Sequence, residues 1–241
     1  MKAPQVVILA GGKGTRLYPY TAVIPKPLVP VGEIPILEIL LRQLRRDGLA
    51  DILLAVGHME HLVRAYFGNG RKWRLRLEYF HEERPLGTVG VLGMLRWARE
   101  PVLVINGDIL TNLSFKQLVK THQRGQSLIT LVVCQREVPI DFGVVELDAQ
   151  GDICRYREKP RNRHLVSTGI VVVSPGARRL IRRGEALNLP DLVGRAISRG
   201  ERVKALVSRA FWLDIGRPND YAAAQRLVER RPGRFLPRGG G

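Results

Sequence analysis

The first half of the chain alternates short apolar runs with longer amphipathic segments. The apolar runs have strand length and almost no polar position, which is typical of strands buried on both faces. The segments between them space their apolar residues as a helix does. The pattern therefore predicts a parallel sheet covered by helices on both sides. In chain order, the predicted pairs of strand and helix are QVVILA and ILEILLRQLRRDG, DILLAV and MEHLVRAYFG, LRLEYF and TVGVLGMLRWA, and VLVING and SFKQLVKTHQ.

After residue 125 the pattern changes to shorter β-rich segments separated by turns. We predict a single α/β domain over 1–231, built on a Rossmann-like, doubly wound mixed sheet with a β-rich extension over 126–231. Residues 232–241 are expected to form a disordered tail. The predicted strands are SLITLVVCQ, GVVELD, GDICRYREK and TGIVVVS, with helical stretches near 175–183 and 190–199 and a last helix over PNDYAAAQRLVER.

The net positive charge favours anionic partners but does not distinguish among the classes of them. The 241 residues include 39 Lys and Arg against 22 Asp and Glu, a formal charge of +17. Such a charge attracts polyanions, among them triphosphates, nucleic acids and anionic lipids. The basic residues are spread along the chain without a dense tract or interleaved aromatics, so nucleic-acid binding ranks last. We expect no nucleic-acid partner.

Targeting and cysteine patterns point to a soluble protein of the cytoplasm. No apolar stretch approaches the ~20 residues that cross a bilayer, and the apolar run at the N-terminus is too short for a signal peptide. Cys134 and Cys154 lack the spacing of a zinc site or a disulfide framework. We therefore expect a cytoplasmic localisation and no membrane partner.

A glycine-rich loop follows the first predicted strand. Its glycines let the backbone approach a phosphate closely and present N–H groups to it. The spacing matches neither the dinucleotide-binding nor the Walker pattern, and a tight turn would explain it equally well. The loop comprises Leu9, Ala10, Gly11, Gly12, Lys13, Gly14, Thr15 and Arg16.

Asp108 follows the apolar run VLVING, where a doubly wound sheet presents its ligands. A carboxylate at that edge beside a polyphosphate loop is suited to Mg²⁺, although a turn or N-cap aspartate is the plain alternative. His58 and His61 have helical i, i+3 spacing, but no third ligand lies nearby in the sequence. We assign no chemistry to these histidines.

Several blocks together resemble the sugar-1-phosphate nucleotidylyltransferases. These are LAGGKGTRLYPYT followed by IPKPLVPVGEIPILE, and later WLDIGRP. The resemblance implies a Mg²⁺-dependent enzyme that joins a nucleoside triphosphate to a sugar 1-phosphate and releases pyrophosphate. It also implies that 1–125 mainly binds the nucleotide, while 126–231 mainly binds the sugar and supplies a second metal ligand. We expect no C-terminal β-helix, a module that some relatives carry.

The resemblance assigns roles to particular residues. Arg16 would reach the β- and γ-phosphates, Lys26 would contact the reacting phosphates, and Asp108 and Asp214 would hold the metal ion. The glycine loop would lie over the nucleotide. For recognition of the base the resemblance indicates Glu83, Gly87 and Thr88, and for the sugar phosphate it indicates Gly143, Glu158, Lys159, Thr168 and Gly169.

The identities of base and sugar stay open at this point. A glutamate can accept hydrogen bonds from both guanine donors, which favours GTP. The blocks PLGTVG, NGDILTNLSF and WLDIGRPNDY resemble those of guanylyltransferases, which implies a mannose-, heptose- or amino-sugar 1-phosphate as the acceptor. Ser167 and Val171 stand where the family commonly has an asparagine and an aromatic residue. The alternatives are a thymidylyl-, uridylyl- or cytidylyltransferase, or a non-catalytic nucleotide-sugar sensor of the same fold. The protein is also a possible homo-oligomer.

Overall fold

A computed structural model describes residues 5–97 and 99–236. None of the helices in these ranges combines the length and the apolar character that crossing a bilayer requires. The α-helices are α1 (Ile36–Arg46), α2 (Glu60–Phe67), α3 (Phe115–Gly125), α4 (Leu189–Ser198) and α5 (Pro218–Arg230). The strands are β1 (Val6–Leu9), β2 (Pro30–Val31), β3 (Ile34–Pro35), β4 (Asp51–Val56), β5 (Arg76–His81), β6 (Val102–Asn106), β7 (Ile109–Thr111), β8 (Ile129–Pro139), β9 (Val144–Leu147), β10 (Ile153–Arg157), β11 (Arg161–Val173), β12 (Val203–Val207) and β13 (Trp212–Asp214).

The central sheet has seven strands in the order β12-β8-β11-β6-β1-β4-β5. β6, β1, β4 and β5 are parallel to their neighbours in this set. β11 lies antiparallel between β6 and β8, and β12 is parallel to β8. The predicted Rossmann-like mixed sheet is therefore confirmed. The described residues hold no β-helix.

The central strands are buried on both faces, as their continuous apolar runs predict. Val6 and Ile8 of β1 pack into one core cluster with α1, α2 and α3. Val7, between them, faces a second cluster that includes residues of α4. Because successive side chains of a strand point to opposite faces, a strand between two helical layers needs an apolar residue at every position.

A third cluster joins the C-terminal part of the chain to the loops near its beginning. Tyr221, Ala224 and Val228 of α5 pack with residues from the segment 17–36. Phe235 is also in this cluster and is 1% exposed, and its carbonyl accepts a hydrogen bond from Gln43 Nε2 at 2.8 Å. Residues 232–236 thus differ from the expected disordered tail, because Phe235 has an apolar site to fill. Residues 237–241 lie outside the described part of the chain.

The β-rich extension lies partly in the central sheet and partly beyond it. β8 and β11 pair from Ile129 and Val173 in the sheet out to Pro139 and Arg161. β9 and β10 pair only with each other, as a two-stranded antiparallel unit beyond the ends of β8 and β11. The four β segments predicted after residue 125 are therefore all strands.

The helix predicted over 88–98 is wrong. A 3₁₀ helix spans only Gly90–Met94, and Ala98 lies outside the described residues. The cause is the spacing of Gly90 and Gly93, since residues three apart lie on one side of a 3₁₀ helix. A Cβ on Gly90 would collide with the carbonyl of Glu185, and one on Gly93 would lie 2.6 Å from the carbonyl of Arg182. The segment is thus held against the backbone of 182–187.

A buried hydrogen-bond circuit surrounds His122 of α3. The Ser174 hydroxyl donates to the Ser127 carbonyl at 2.9 Å, so it must accept from His122 Nε2 at 2.8 Å. His122 Nδ1 then accepts from the Thr130 hydroxyl at 2.8 Å, which in turn accepts from the Ser127 hydroxyl. Each partner is consistent with a neutral imidazole protonated at Nε2. Burial also lowers the pKa of His122, which favours the same neutral form of the imidazole.

We predict that Gly90→Ala lowers the free energy of unfolding by about 2–3 kcal/mol, because the new methyl group has no space against the Glu185 carbonyl. Gly194→Ala is the matched control. Gly194 lies inside α4 with nothing within 4 Å of the position of an added Cβ, so that variant should gain about 0.5–1 kcal/mol. Urea denaturation of both variants measures the difference. Equal effects would contradict the proposed packing.

We predict that His122 makes the fold less stable in mild acid. Because its pKa is lowered in the folded state, its contribution is complete above the ordinary value of 6.5 and is lost as the pH falls below it. His122→Gln should therefore unfold at lower denaturant concentration at pH 7 but lose less stability than the wild type between pH 7 and pH 5. His61→Gln, at an exposed position, should retain the wild-type pH dependence. Parallel curves for wild type and His122→Gln would refute this role.

Candidate functional site

A cavity of about 620 Å³ opens at the carboxyl ends of β1, β4, β5 and β6. This is the edge at which sheets of this kind bind ligands. The residues lining it come from the glycine loop, from the segment around Lys26 and from the residues that follow each of the four strands. They are Leu9, Ala10, Gly11, Gly12, Lys13, Lys26, Pro27, Ala55, Gly57, His58, Glu82, Pro85, Gly87, Thr88, Asn106, Gly107 and Asp108.

The glycine loop is held by close contacts between backbones. A Cβ on Gly57 would lie 3.1 Å from the Gly11 carbonyl oxygen. Gly14 adopts a left-handed backbone with φ 66°, and its carbonyl accepts a hydrogen bond from the Thr21 hydroxyl at 2.8 Å. Gly11 and Gly12 line the cavity, whereas Gly14 and Thr15 do not. The loop therefore presents backbone to the cavity through its first glycines.

Lys26 and Asp108 form an ion pair in the cavity. Lys26 Nζ donates to Asp108 Oδ2, and the two side chains are 12% and 23% exposed. Pro25 and Pro27 flank the lysine in the sequence and fix the backbone on either side of it. Within the described part of the chain, the other carboxylate oxygen of Asp108, Oδ1, is buried without a hydrogen-bond partner. A buried carboxylate oxygen without a partner is costly unless a ligand supplies one.

Asp214 is brought to Asp108 by the pairing of β7 with β13. Asp214 is the register partner of Ile109, and the backbone N–H of Ile215 donates to the Asp108 carbonyl at 3.0 Å. Burial, and next the charge of Asp108, raise the pKa of Asp214, against the opposing effects of Lys26 and Arg16. The charges of Lys26, Asp108, Arg16 and Asp214 therefore act on one another in the same small region.

Neither Arg16 nor Asp214 is among the residues that line the cavity, and the two side chains lie close to each other. Arg16 is exposed. Its guanidinium nitrogens lie 3.5 Å from the position that an added Cβ on Gly216 would occupy. Asp214 Oδ2 is 3.2 Å from that same position. The guanidinium therefore lies close to the second carboxylate while remaining accessible to an anion.

Asp108 and Asp214 fit a magnesium ion that is bound jointly with a substrate. Mg²⁺ is usually held by one or two carboxylates together with phosphate oxygens and water. Asp108 Oδ1 lacks a protein partner among the described residues, and burial first, then the neighbouring charge of Asp108, raise the pKa of Asp214. The same residues contain no cluster of three or more His, Cys, Asp or Glu side chains suited to a metal. The donor set matches an ion whose coordination a phosphate completes.

The carboxylate at the far side of the cavity is Glu82, not Glu83. Glu82 lines the cavity, while Glu83 is exposed and does not. Burial raises the pKa of Glu82, and its Oε1 is buried without a hydrogen-bond partner in the described residues. Its Oε2 lies 3.2 Å from the position of an added Cβ on Gly11. Glu82 thus faces the cavity beside the glycine loop, as Gly87 and Thr88 do.

A second cavity of about 420 Å³ adjoins the first, sharing Leu9, Thr88 and Asn106 with it. Gly169 lines this second cavity; its φ is +72°, and an added Cβ would collide with the Asn106 amide. Thr168 is buried, and its hydroxyl donates to the Val132 carbonyl at 2.9 Å. Thr168 therefore supports the strand pairing rather than facing the cavity.

Gly143, Glu158 and Lys159 lie apart from both cavities. They flank the β9–β10 unit, and all three are exposed. The Tyr156 hydroxyl donates to Glu158 Oε2 at 2.9 Å, and an added Cβ on Gly143 would collide with that hydroxyl. These residues form a local cluster, and their expected contact with a sugar phosphate remains a prediction.

Sequence reasoning did not single out Glu82 or Asn106 and assigned no chemistry to His58, although all three line the cavity. Asn106 ends β6, Glu82 directly follows β5, and His58 stands two residues after β4. The rule that selected Asp108, that ligands meet the carboxyl ends of parallel strands, would have selected these positions as well. His58 lines the cavity although no metal role is indicated for it.

Comparison with known sequences identifies a family for this chain. The nucleotidyl transferase family model matches residues 5–231. The mannose-1-phosphate guanylyltransferase catalytic subunit beta of Drosophila pseudoobscura pseudoobscura is 34% identical over 230 residues, 92% of this chain and 62% of that protein. The UTP–glucose-1-phosphate uridylyltransferase of Synechocystis sp. is 30% identical over 247 residues, 94% of this chain and 64% of that protein. The chain thus spans less than two thirds of these relatives.

Comparison of structures shows the same fold. A proposed glucose-1-phosphate thymidylyltransferase from Bacillus anthracis, solved with sucrose, has a TM-score of 0.78 at 24% identity and covers 99% of this chain and 98% of its own. HddC from Yersinia pseudotuberculosis, solved with GMP-PN, has a TM-score of 0.70 at 23% identity, with 92% and 98% coverage. With the family model matched along nearly the whole sequence, the chain belongs to the nucleotidyl transferase family.

Proposed function

We propose that the protein transfers a nucleotidyl group from a nucleoside triphosphate, GTP, to a sugar 1-phosphate and releases pyrophosphate. One observation carries the proposal. Lys26 is paired with Asp108 in the cavity beside a glycine loop, and the second oxygen of that carboxylate is buried without a partner in the described residues. A cation, a carboxylate with an unused oxygen and exposed backbone together suit a polyphosphate bound with a metal ion.

The chemistry needs charge and positioning rather than a general base. An oxygen of the sugar phosphate attacks the α-phosphorus, a new P–O bond forms, and the bond to the β-phosphate oxygen breaks so that pyrophosphate leaves with the electron pair. The attacking oxygen is already anionic at neutral pH. Lys26 would bring the two anions together, and Arg16 would bind the leaving pyrophosphate.

Asp108 and Asp214 would hold Mg²⁺. When bound, the ion neutralises charge on the phosphate oxygens. The chain itself contributes the spacing of the two carboxylates, which the β7–β13 register fixes. Lys26 offsets the repulsion that two adjacent carboxylates create before the ion arrives.

Glu82 would read the base. An ionised carboxylate accepts two hydrogen bonds, which suits the N1–H and 2-amino donors of guanine better than the single imino donor of uracil or thymine. The relatives include both a guanylyltransferase and a uridylyltransferase. GTP therefore rests on the carboxylate of Glu82 and on its place in the cavity.

We predict that Asp108→Asn lowers kcat for pyrophosphate release by about 10²–10³-fold, because the amide cannot supply the charge that opposes Lys26 and binds the metal. The assay mixes GTP, Mg²⁺ and mannose, glucose, heptose or glucosamine 1-phosphate. Asp152→Asn, at an exposed carboxylate in the turn before β10, should match the wild type. Release that is equal in the two variants, or absent from the wild type with GTP and every sugar 1-phosphate tested, would overturn the proposal.

We predict that Glu82→Gln lowers kcat/KM for GTP by about 10–100-fold, because one of the two guanine donors loses its acceptor. The same variant should change kcat/KM for UTP by less than about threefold. Glu83→Gln provides a control one residue away, since Glu83 is exposed outside the cavity. A loss in Glu83→Gln without a loss in Glu82→Gln would show that the base is read by Glu83.

A further inference from the structure

The second cavity is lined mainly by aliphatic side chains. Its volume of about 420 Å³ falls in the range of small-molecule sites, about 300–1,000 Å³. The walls come from the ends of β1 and β6, from β8 and β11, and from the first turns of α4. The aliphatic and proline residues are Leu9, Val89, Val104, Leu131, Val171, Leu189, Pro190 and Val193.

The position of this cavity suits the substrate that accepts the nucleotidyl group. The first cavity extends from Asp108 across β1 and β4 to Glu82 beside β5. The second extends in the opposite direction, across β6 to β11 and β8, and shares Asn106 with the first. If the nucleotide places its base at Glu82 and its phosphates at Lys26 and Asp108, the second cavity is the space left on the other side of the reacting phosphorus.

Few polar groups in this second cavity can serve sugar hydroxyls. Its polar side chains are Thr88, Asn106 and Ser167, and none of its lining residues is charged. The Thr88 hydroxyl oxygen already accepts a hydrogen bond from the backbone N–H of Leu189 at 2.7 Å. A hydroxyl that faced the aliphatic wall would give up its hydrogen bonds to water without replacement, whereas a methyl group would gain contact there.

We infer that the acceptor is a sugar 1-phosphate in which an apolar, methyl-bearing substituent replaces a hydroxyl and occupies the aliphatic part of this second cavity. Such a substituent is the methyl group of a 6-deoxy sugar or of a 2-acetamido sugar. The inference rests on the proposed transfer to a sugar 1-phosphate. Asn106 and Ser167 stand among the lining residues, where they bind the ring hydroxyls or an amide.

The test compares sugar phosphates that differ by one group. The pairs are 6-deoxymannose 1-phosphate against mannose 1-phosphate, and N-acetylglucosamine 1-phosphate against glucose 1-phosphate, each with GTP and Mg²⁺. We expect the methyl-bearing member of at least one pair to have a kcat/KM at least about tenfold higher, the usual effect of a methyl group in an apolar pocket. The pair that shows the preference identifies the substituted carbon. Equal values, or a preference for the hydroxyl in both pairs, would overturn the inference.

Val193→Thr tests the wall directly. Threonine keeps the β-branched shape and places a hydroxyl in the cavity, so the preference for the methyl-bearing sugar should fall at least about threefold. Ile197→Thr makes the same kind of change one turn later on α4. Ile197 is 61% exposed and does not line the cavity, so its preference should stay at the wild-type value. If both variants and the wild type show the same preference, the cavity does not determine which sugar phosphate is preferred.

Failure of the inference is distinct from failure of the proposed function. Pyrophosphate release with the hydroxylated sugars alone refutes the apolar substituent and leaves the transfer reaction in place. Absence of pyrophosphate release with every pair refutes the transfer reaction. In that case calorimetric dissociation constants of the four sugar phosphates decide the inference, because the aliphatic wall should still bind the methyl-bearing members at least about tenfold more tightly.

Discussion

The site depends on holding two carboxylates together in a partly buried position. Asp108 and Asp214 repel each other, and burial adds to that cost, as the raised pKa of Asp214 reflects. Three features oppose the repulsion: the β7–β13 pairing fixes the backbone, Lys26 binds one carboxylate, and Arg16 lies near the other. The third core cluster holds these segments in place by packing α5 against the loops on either side of Lys26. The C-terminal helix thereby supports the reactive centre.

The central sheet was predictable because strands buried on both faces are apolar at nearly every position. The runs that became β1, β4 and β6 are apolar at successive positions, and their residues divide between two cores. The same signal failed at 88–98, where apolar residues at helical spacing suggested an α-helix. There Gly90 and Gly93 pack so closely against the backbone of 182–187 that a Cβ at either position would collide with it. Such contacts join distant segments and leave no local periodicity.

Only part of the arrangement at the candidate site was predictable from the sequence. Lys26, Asp108 and Asp214 lie together as the motifs indicated. The carboxylate that lines the cavity is Glu82 and not its neighbour Glu83, because only the structure shows where β5 ends. The aliphatic wall of the second cavity draws on six separate segments. In the sequence, each side chain of this wall is indistinguishable from an ordinary core residue, so the cavity could not be predicted.

The β7–β13 pairing also sets an order in time. A chain made from its N-terminus can form the glycine loop, Lys26 and Asp108 long before Asp214 exists, since β13 and α5 follow all seven strands of the central sheet. Until β13 pairs with β7, the nascent protein has its glycine loop and Asp108 but only one of the two neighbouring carboxylates. The last strand therefore completes the pair of carboxylates, and a chain that has not yet reached β13 lacks Asp214.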